Sequence, residues 1–194
     1  MDVKHLATIS NKSGLKDFGY PEVAFVGRSN CGKSSLLNIL LRKKKLARTS
    51  NTPGRTQMIH MYLWMEQVIF TDLPGYGFSK TPSFITKKWP AMMAAYTERK
   101  TVCLFLCLVD IRRQFKPEEF DFIRHLEQQE KRVSVVLTKA DKLAKAKVMI
   151  QENNMRAALA SEEIKSQDVF SVSTHKKTNI ALLRDHVMAQ AILR

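Results

Sequence analysis

The chain has 194 residues, 44% of them apolar, and 32 Lys and Arg against 18 Asp and Glu give it a formal charge of +14. That length suits one domain with a sizeable core, no apolar run reaches the roughly 18 residues of a membrane span, and the start "MDVKHLATISNKSG" lacks a signal-peptide core. Cys31, Cys103 and Cys107 form an odd set without zinc-type spacing, which argues against a disulfide framework and for a cytoplasmic protein.

In chain order, residues 1–20 read as an N-terminal extension and 21–194 as the core of a single domain. Residues 23–27 form an apolar strand pattern, and 33–41 a helix with Leu36, Leu37, Leu40 and Leu41 at three- and four-residue spacing. Residues 42–57 are a polar loop with Pro and Gly. Residues 58–65 and 68–72 read as two strands around a turn at Glu66-Gln67, and "LPGYGFSKTPS" as another loop. A helix over 87–99 with Pro90 in its first turn is followed by a strand at 101–110. Cys103 and Cys107 share one face of that strand as small buried hydrophobes. A helix at 117–130, a strand at 133–138, a helix at 145–160, a short strand at 169–172 and a helix at 179–193 complete the pattern. Strands separated by helices predict an α/β fold: a mostly parallel sheet of about six strands with one antiparallel edge strand and helices on both faces.

Three strand ends carry chemistry. Gly27-Arg28-Ser29-Asn30-Cys31-Gly32-Lys33-Ser34 matches G-x-x-x-x-G-K-[ST] after a predicted strand and at the start of a predicted helix. Glycines let the backbone wrap closely around phosphates, and N–H groups of the loop and first helical turn, through Ser35, point at the anion. In this reading Lys33 reaches the β- and γ-phosphates and Ser34 ligates Mg²⁺ directly. Asp72-Leu73-Pro74-Gly75 ends a second strand: the carboxylate can hold Mg²⁺ through water, and the Gly75 N–H can sense a γ-phosphate. Thr138-Lys139-Ala140-Asp141 ends a third strand. The Asp141 carboxylate can accept from the N1–H and the exocyclic amine of guanine, a donor pair adenine lacks, while the Lys139 stem can lie over the base.

With these motifs in this order, the chain resembles a P-loop NTPase G domain of the Ras-like, TrmE–Era–EngA–EngB-related class. "FVGRSNCGKSSLLN", "TSNTPGRTQ", "FTDLPGYGFSK", "VDIRR" and "LTKADKL" resemble the EngB family of bacterial GTPases, also called YihA or YsxC, over almost the whole chain. The resemblance implies binding of GTP and GDP and Mg²⁺-dependent GTP hydrolysis. It further implies a role in assembly of the large ribosomal subunit, and an earlier-named one in division septation. Gly54, Arg55 and Thr56 would form the switch I turn, with Thr56 ligating Mg²⁺ and acting with Lys33 and Gly75 at the reaction centre. Val172, Ser173 and Thr174 would supply N–H groups near guanine O6. Asn30 has two readings, a K⁺ ligand as in related GTPases or a shaper of its own loop. Thr174 and Asn179 depart from the family pattern, which usually has a small residue and Gly there.

Tyr76 follows Gly75 where many G domains carry the water-orienting Gln, so slow intrinsic turnover is expected, with 48–57 and 73–83 as switches. The run Arg42-Lys43-Lys44-Lys45, with Lys87, Lys88, Arg112, Arg113, Lys176 and Lys177, suits contact with rRNA phosphates by a monomer. The other reading is a GTP-regulated switch on a protein or anionic membrane surface in cell division, without RNA contact. Neither Gly at position 2 nor a C-terminal Cys is present to anchor a lipid.

Overall fold

The structure, a computed structural model, describes residues 2–43, 46, 58–75, 88–166 and 168–192, with the backbone alone at 88–90. Its strands are β1 (Val3–Ile9), β2 (Glu22–Gly27), β3 (Ile59–Trp64), β4 (Val68–Asp72), β5 (Val102–Asp110), β6 (Arg132–Thr138) and β7 (Val169–Ser171). Its helices are α1 (Lys33–Leu40), α2 (Lys88–Thr97), α3 (Pro117–Gln128), α4 (Lys145–Ser161) and α5 (Ile180–Ile192). The strands form one sheet of seven in the order β1-β3-β4-β2-β5-β6-β7. β2 pairs in parallel with β4 and β5, as do β5 with β6 and β6 with β7. β3 alone runs against its neighbours β1 and β4.

The sheet therefore has seven strands where the sequence pattern gives about six, and the antiparallel strand is flanked by one more. The added strand is β1, within the stretch read as an extension. Only Ile9 of its seven residues is buried, and its register against β3 slips between His5 and Ala7. A partly exposed edge strand with a bulge has no strict alternation to read.

The continuous apolar runs follow from burial on both faces. Ala24 and Val26 of β2, with Phe105, Cys107 and Val109 of β5, pack toward α2, α3 and α4 through Tyr96, Ile123 and Leu159. Val23 and Phe25, with Leu104, Leu106 and Leu108, pack toward α1 and α5 through Leu36, Leu40, Leu183 and Val187. β2 has β4 on one side and β5 on the other, so strand order reverses there. The C-terminal ends of the strands beside such a reversal are where α/β sheets place ligands. Gly27, Asp72, Asp110 and Thr138 all lie at that edge.

At the opposite edge a charge is buried. Glu22, fully enclosed, accepts from Tyr96 Oη at 3.1 Å, Thr101 Oγ1 at 2.6 Å and Arg99 Nε at 3.2 Å, and its ion pair with Arg99 is closer still. Arg99 also donates to Lys16 O at 2.8 Å, and Lys131 Nζ donates to Arg99 O at 2.7 Å. This knot ties the end of α2 to the start of β2. Removing one partner of a buried pair strands the other. Glu22→Ala is therefore expected to lower unfolding stability by about 3–5 kcal/mol, read from urea denaturation, whereas a loss below about 1 kcal/mol would show that the knot carries little.

Candidate nucleotide-binding site

The turn from β2 into α1 admits only glycine at its start. A Cβ on Gly27 would stand 2.4 Å from Leu108 O and 2.9 Å from Cys31 Sγ. Asn30 and Gly32 take left-handed backbone conformations, φ 63° and 103°, which curl Arg28, Ser29, Asn30 and Cys31 into a loop before the first turn of α1. Cys31 is buried and its thiol is pushed up by that burial, so it serves as packing. Lys33 is buried, and its Nζ donates to Gly27 O at 3.0 Å across the loop. Ser34 Oγ donates to Asp72 Oδ2 at 3.5 Å, and Ser35 faces outward in the first turn of α1.

The Asp72 carboxyl is pushed up to about 6 by burial, against the pull of Lys33 and the Ser34 hydroxyl. Leu73 is buried and its N–H bonds Phe25 O at 3.1 Å, which fixes the exit from β4. Pro74 follows, and Gly75 lies against the loop. A Cβ there would meet Lys33 Nζ at 2.8 Å and Ser29 N at 3.0 Å, and Ser29 Oγ points at Gly75 O, 3.5 Å away. The two motifs read separately in sequence thus converge on one ammonium group. Gly54, Arg55, Thr56 and Tyr76 lie outside the described residues, as do 48–57, 76–83, Lys44, Lys45 and Lys87.

A second cluster sits beside the first. Thr138 Oγ1 lies within hydrogen-bond reach of Cys31 O and of Val109 O. Lys139 is left-handed at φ 59°, and its Nζ donates to Asn30 O at 2.8 Å and stands 3.1 Å from Asp110 Oδ2. That contact uses the Asn30 main-chain oxygen and not its side chain. Ala140 N–H bonds Val172 O at 3.0 Å. Ser173 Oγ donates to Asp141 Oδ1 at 2.7 Å and accepts from Lys176 N–H at 3.0 Å. The Asp141 carboxyl is held below its ordinary value, chiefly by the Ser173 hydroxyl, so it stays an acceptor. Thr174 follows, half-buried. Asn179 is left-handed at φ 56°, and its Nδ2 donates to Ser171 O at 2.9 Å. This explains how a residue other than Gly is accommodated there, since Asn tolerates that region best.

Three contributions lie outside the roles read from the sequence. Sequence reading assigned Ser173 a backbone role, yet its hydroxyl orients Asp141. Thr138 braces the phosphate loop. Asp110, inside "VDIRR", is buried and takes both Arg112 and Lys139; the signal was a carboxylate at a strand end two residues before an arginine. Arg112, counted among the RNA-facing cations, is already engaged: its Nε donates to Asp110 Oδ1 at 2.9 Å and a terminal nitrogen to Oδ2 at 2.6 Å. Among the described residues no group of three or more His, Cys, Asp and Glu could hold a metal ion. A cation site there would use Ser34, Asp72 and phosphate oxygens.

The family model described as "50S ribosome-binding GTPase" matches residues 22–139. A probable GTP-binding protein EngB of Syntrophus aciditrophicus (strain SB) is 40% identical over 173 residues, covering 89% of this chain and 87% of its own length. This chain belongs to the EngB family of GTP-binding proteins. A Clostridioides difficile (strain 630) EngB is 38% identical over 184 residues, 93% of this chain and 88% of the relative. The fold agrees as well. A crystal structure of a probable GTP-binding protein EngB superposes with a TM-score of 0.70 at 23% identity, over 89% of this chain and all of that one. Aquifex aeolicus Era bound to GDP·AlF4⁻ superposes with a TM-score of 0.68 at 22% identity, over 88% of this chain and 56% of Era.

In this EngB-family chain Asp141 owes its depressed pKa first to Ser173. A depressed carboxyl loses its acceptor capacity only as pH falls through its folded value. Ser173→Ala is therefore expected to raise the Asp141 pKa toward an ordinary aspartate, by carboxyl NMR titration. Guanine-nucleotide affinity should then fail at a higher pH on acidification than in the wild type. An unmoved Asp141 titration would remove Ser173 from this role.

Proposed function

We propose that this EngB-family chain is a single-domain, Mg²⁺-dependent GTPase of slow intrinsic turnover, a GTP-gated switch that serves assembly of the large ribosomal subunit. The observation that carries the reading is the meeting of the phosphate loop with the Asp141 cluster, through Lys139 Nζ to Asn30 O and Thr138 Oγ1 to Cys31 O. A guanine nucleotide has that layout: phosphates at one end, and a base with paired donors at the other.

The residue roles follow from the chemistry. Backbone N–H groups of 27–35 and the Lys33 ammonium would take the phosphates. Ser34 and Asp72, two hard oxygen donors already facing each other, suit Mg²⁺, with Thr56 as the further ligand. The ion would neutralise developing phosphate charge. Gly75 would report the γ-phosphate through its N–H, and the lack of room for a Cβ beside Lys33 and Ser29 explains why glycine stands there. Asp141 would read N1–H and the amine, with Val172, Ser173 and Thr174 near O6. Lys33, Thr56 and Gly75 position the reacting group. No covalent intermediate is needed, because phosphoryl transfer to water is catalysed by positioning and charge neutralisation.

The ribosomal part rests on the family description and on the +14 charge. No helix among the described residues is long and apolar enough to cross a membrane. A monomer working in the cytoplasm on rRNA accounts for that charge more directly than a protein- or membrane-bound division switch.

Asp141→Asn exchanges an acceptor for a donor. GTP affinity is expected to fall at least about tenfold, the scale of one charge-assisted hydrogen bond, while xanthosine triphosphate gains. Competition binding with both nucleotides measures this, and retained GTP preference would remove Asp141 as the base reader.

The partner is tested by pelleting with purified large subunits across a salt series. GTP analogue is expected to bind subunits more tightly than GDP. Neutralising Lys43, Lys44 and Lys45 should reduce the slope of log affinity against log salt by at most about 3. Salt-independent binding, or equal binding with both nucleotides, favours the division-switch reading.

A further inference from the structure

Asp110 belongs to none of the three nucleotide motifs, yet it is buried at the end of β5 with four donors on its carboxylate. Arg112 gives its backbone N–H to Oδ1 at 3.1 Å, its Nε to Oδ1 at 2.9 Å and a terminal nitrogen to Oδ2 at 2.6 Å. The fourth is Lys139 Nζ, 3.1 Å from Oδ2. The carboxyl is held well below the ordinary aspartate range, first by the Arg112 side chain, so it keeps its charge.

Its position is set by the sheet. Asp110 pairs with Thr138 in the β5–β6 ladder, and Ile111 N–H continues the ladder to Thr138 O at 3.0 Å. The next residue, Lys139, is left-handed. A lysine ammonium on four rotatable bonds has no preferred place of its own. Here it is held at two points, Asp110 Oδ2 and the Asn30 carbonyl 2.8 Å away on the phosphate loop. We propose that Asp110, clamped by Arg112, is the positioning residue that sets Lys139 between the base-reading strand end and the phosphate loop, and so fixes the spacing of the two halves of the guanine-nucleotide site.

The proposal rests on the nucleotide reading above. It deepens that reading by adding two residues, Asp110 and Arg112, that act through a third. Their contribution belongs to the base and loop end of the site. GTP and GDP should therefore depend on it alike, unlike Gly75, which would serve GTP alone.

A double-mutant cycle separates this from a purely structural carboxylate. The variants are Asp110→Asn, Lys139→Met and the pair, with equilibrium affinity for a fluorescent GDP and for GTP by displacement. Asp110→Asn is expected to weaken both nucleotides by about tenfold, the scale of losing one charge-assisted hydrogen bond. The pair should be no weaker than Lys139→Met alone, because the aspartate acts only through the lysine. Arg112→Gln, at an arginine about half exposed, should show a smaller loss with the same dependence on Lys139, and it supplies the cycle if Asp110→Asn does not fold. Wild-type affinity in Asp110→Asn, or losses that add to those of Lys139→Met, would overturn the proposal while leaving the nucleotide reading intact. A wild-type chain that binds no guanine nucleotide would overturn both.

Discussion

The constraint on which this molecule depends is that its central strands must be dry on both faces. Phe25, Phe105, Leu106 and Val136 are at most 1% exposed, on strands with helices above and below. With apolar side chains required on either face, a slip of one residue would exchange the two cores and match neither. The registers of β2, β5 and β6 are thereby locked, and their polar ends come out level. Gly27, Asp110 and Thr138 meet at one edge because the hydrophobic runs preceding them have fixed lengths.

The fold and the site differ in how much of each was legible. Element boundaries came through closely where burial is two-sided or a cap is chemical. Pro117 opens α3 as its pattern suggests, and Glu119 reaches back to Lys116 N–H at 2.7 Å. β1 was missed because a strand held by one neighbour needs no pattern of its own. Motif residues could be read because each phosphate or base contact requires a residue type at a fixed spacing. What could not be read is the traffic between motifs: Lys139 reaching Asn30, Ser173 aiming Asp141, Asp110 holding Arg112. The first two pairs lie far apart in the chain and only the sheet order β4-β2-β5-β6-β7 brings them side by side, while the third is local but outside any motif.

Electrostatics divides the chain into two populations. The excess of positive charge is formal, spread over the sequence. The charges that matter to the described architecture are few and paired at close range. Glu22 and Asp110 are both buried acids answered by arginines, Arg99 and Arg112. One pair stands at the N-terminal edge of the sheet and the other at the C-terminal edge. A guanidinium suits both places, since its several donors can crowd one oxygen, as Arg99 does at Glu22 Oε1, or span two, as Arg112 does at Asp110, at a low hydration cost.

The Glu22 knot turns α2 into a fixed strut. Its C-terminal end is bolted through Tyr96 and Arg99 to the first residue of β2, and its other end receives the chain that leaves Gly75. Ten residues of helix give an arm of about 15 Å at 1.5 Å per residue. Met92 and Tyr96 are buried along that arm, so the core and the knot grip the same helix, and loosening Glu22 would free a whole face of α2 and not one ion pair alone.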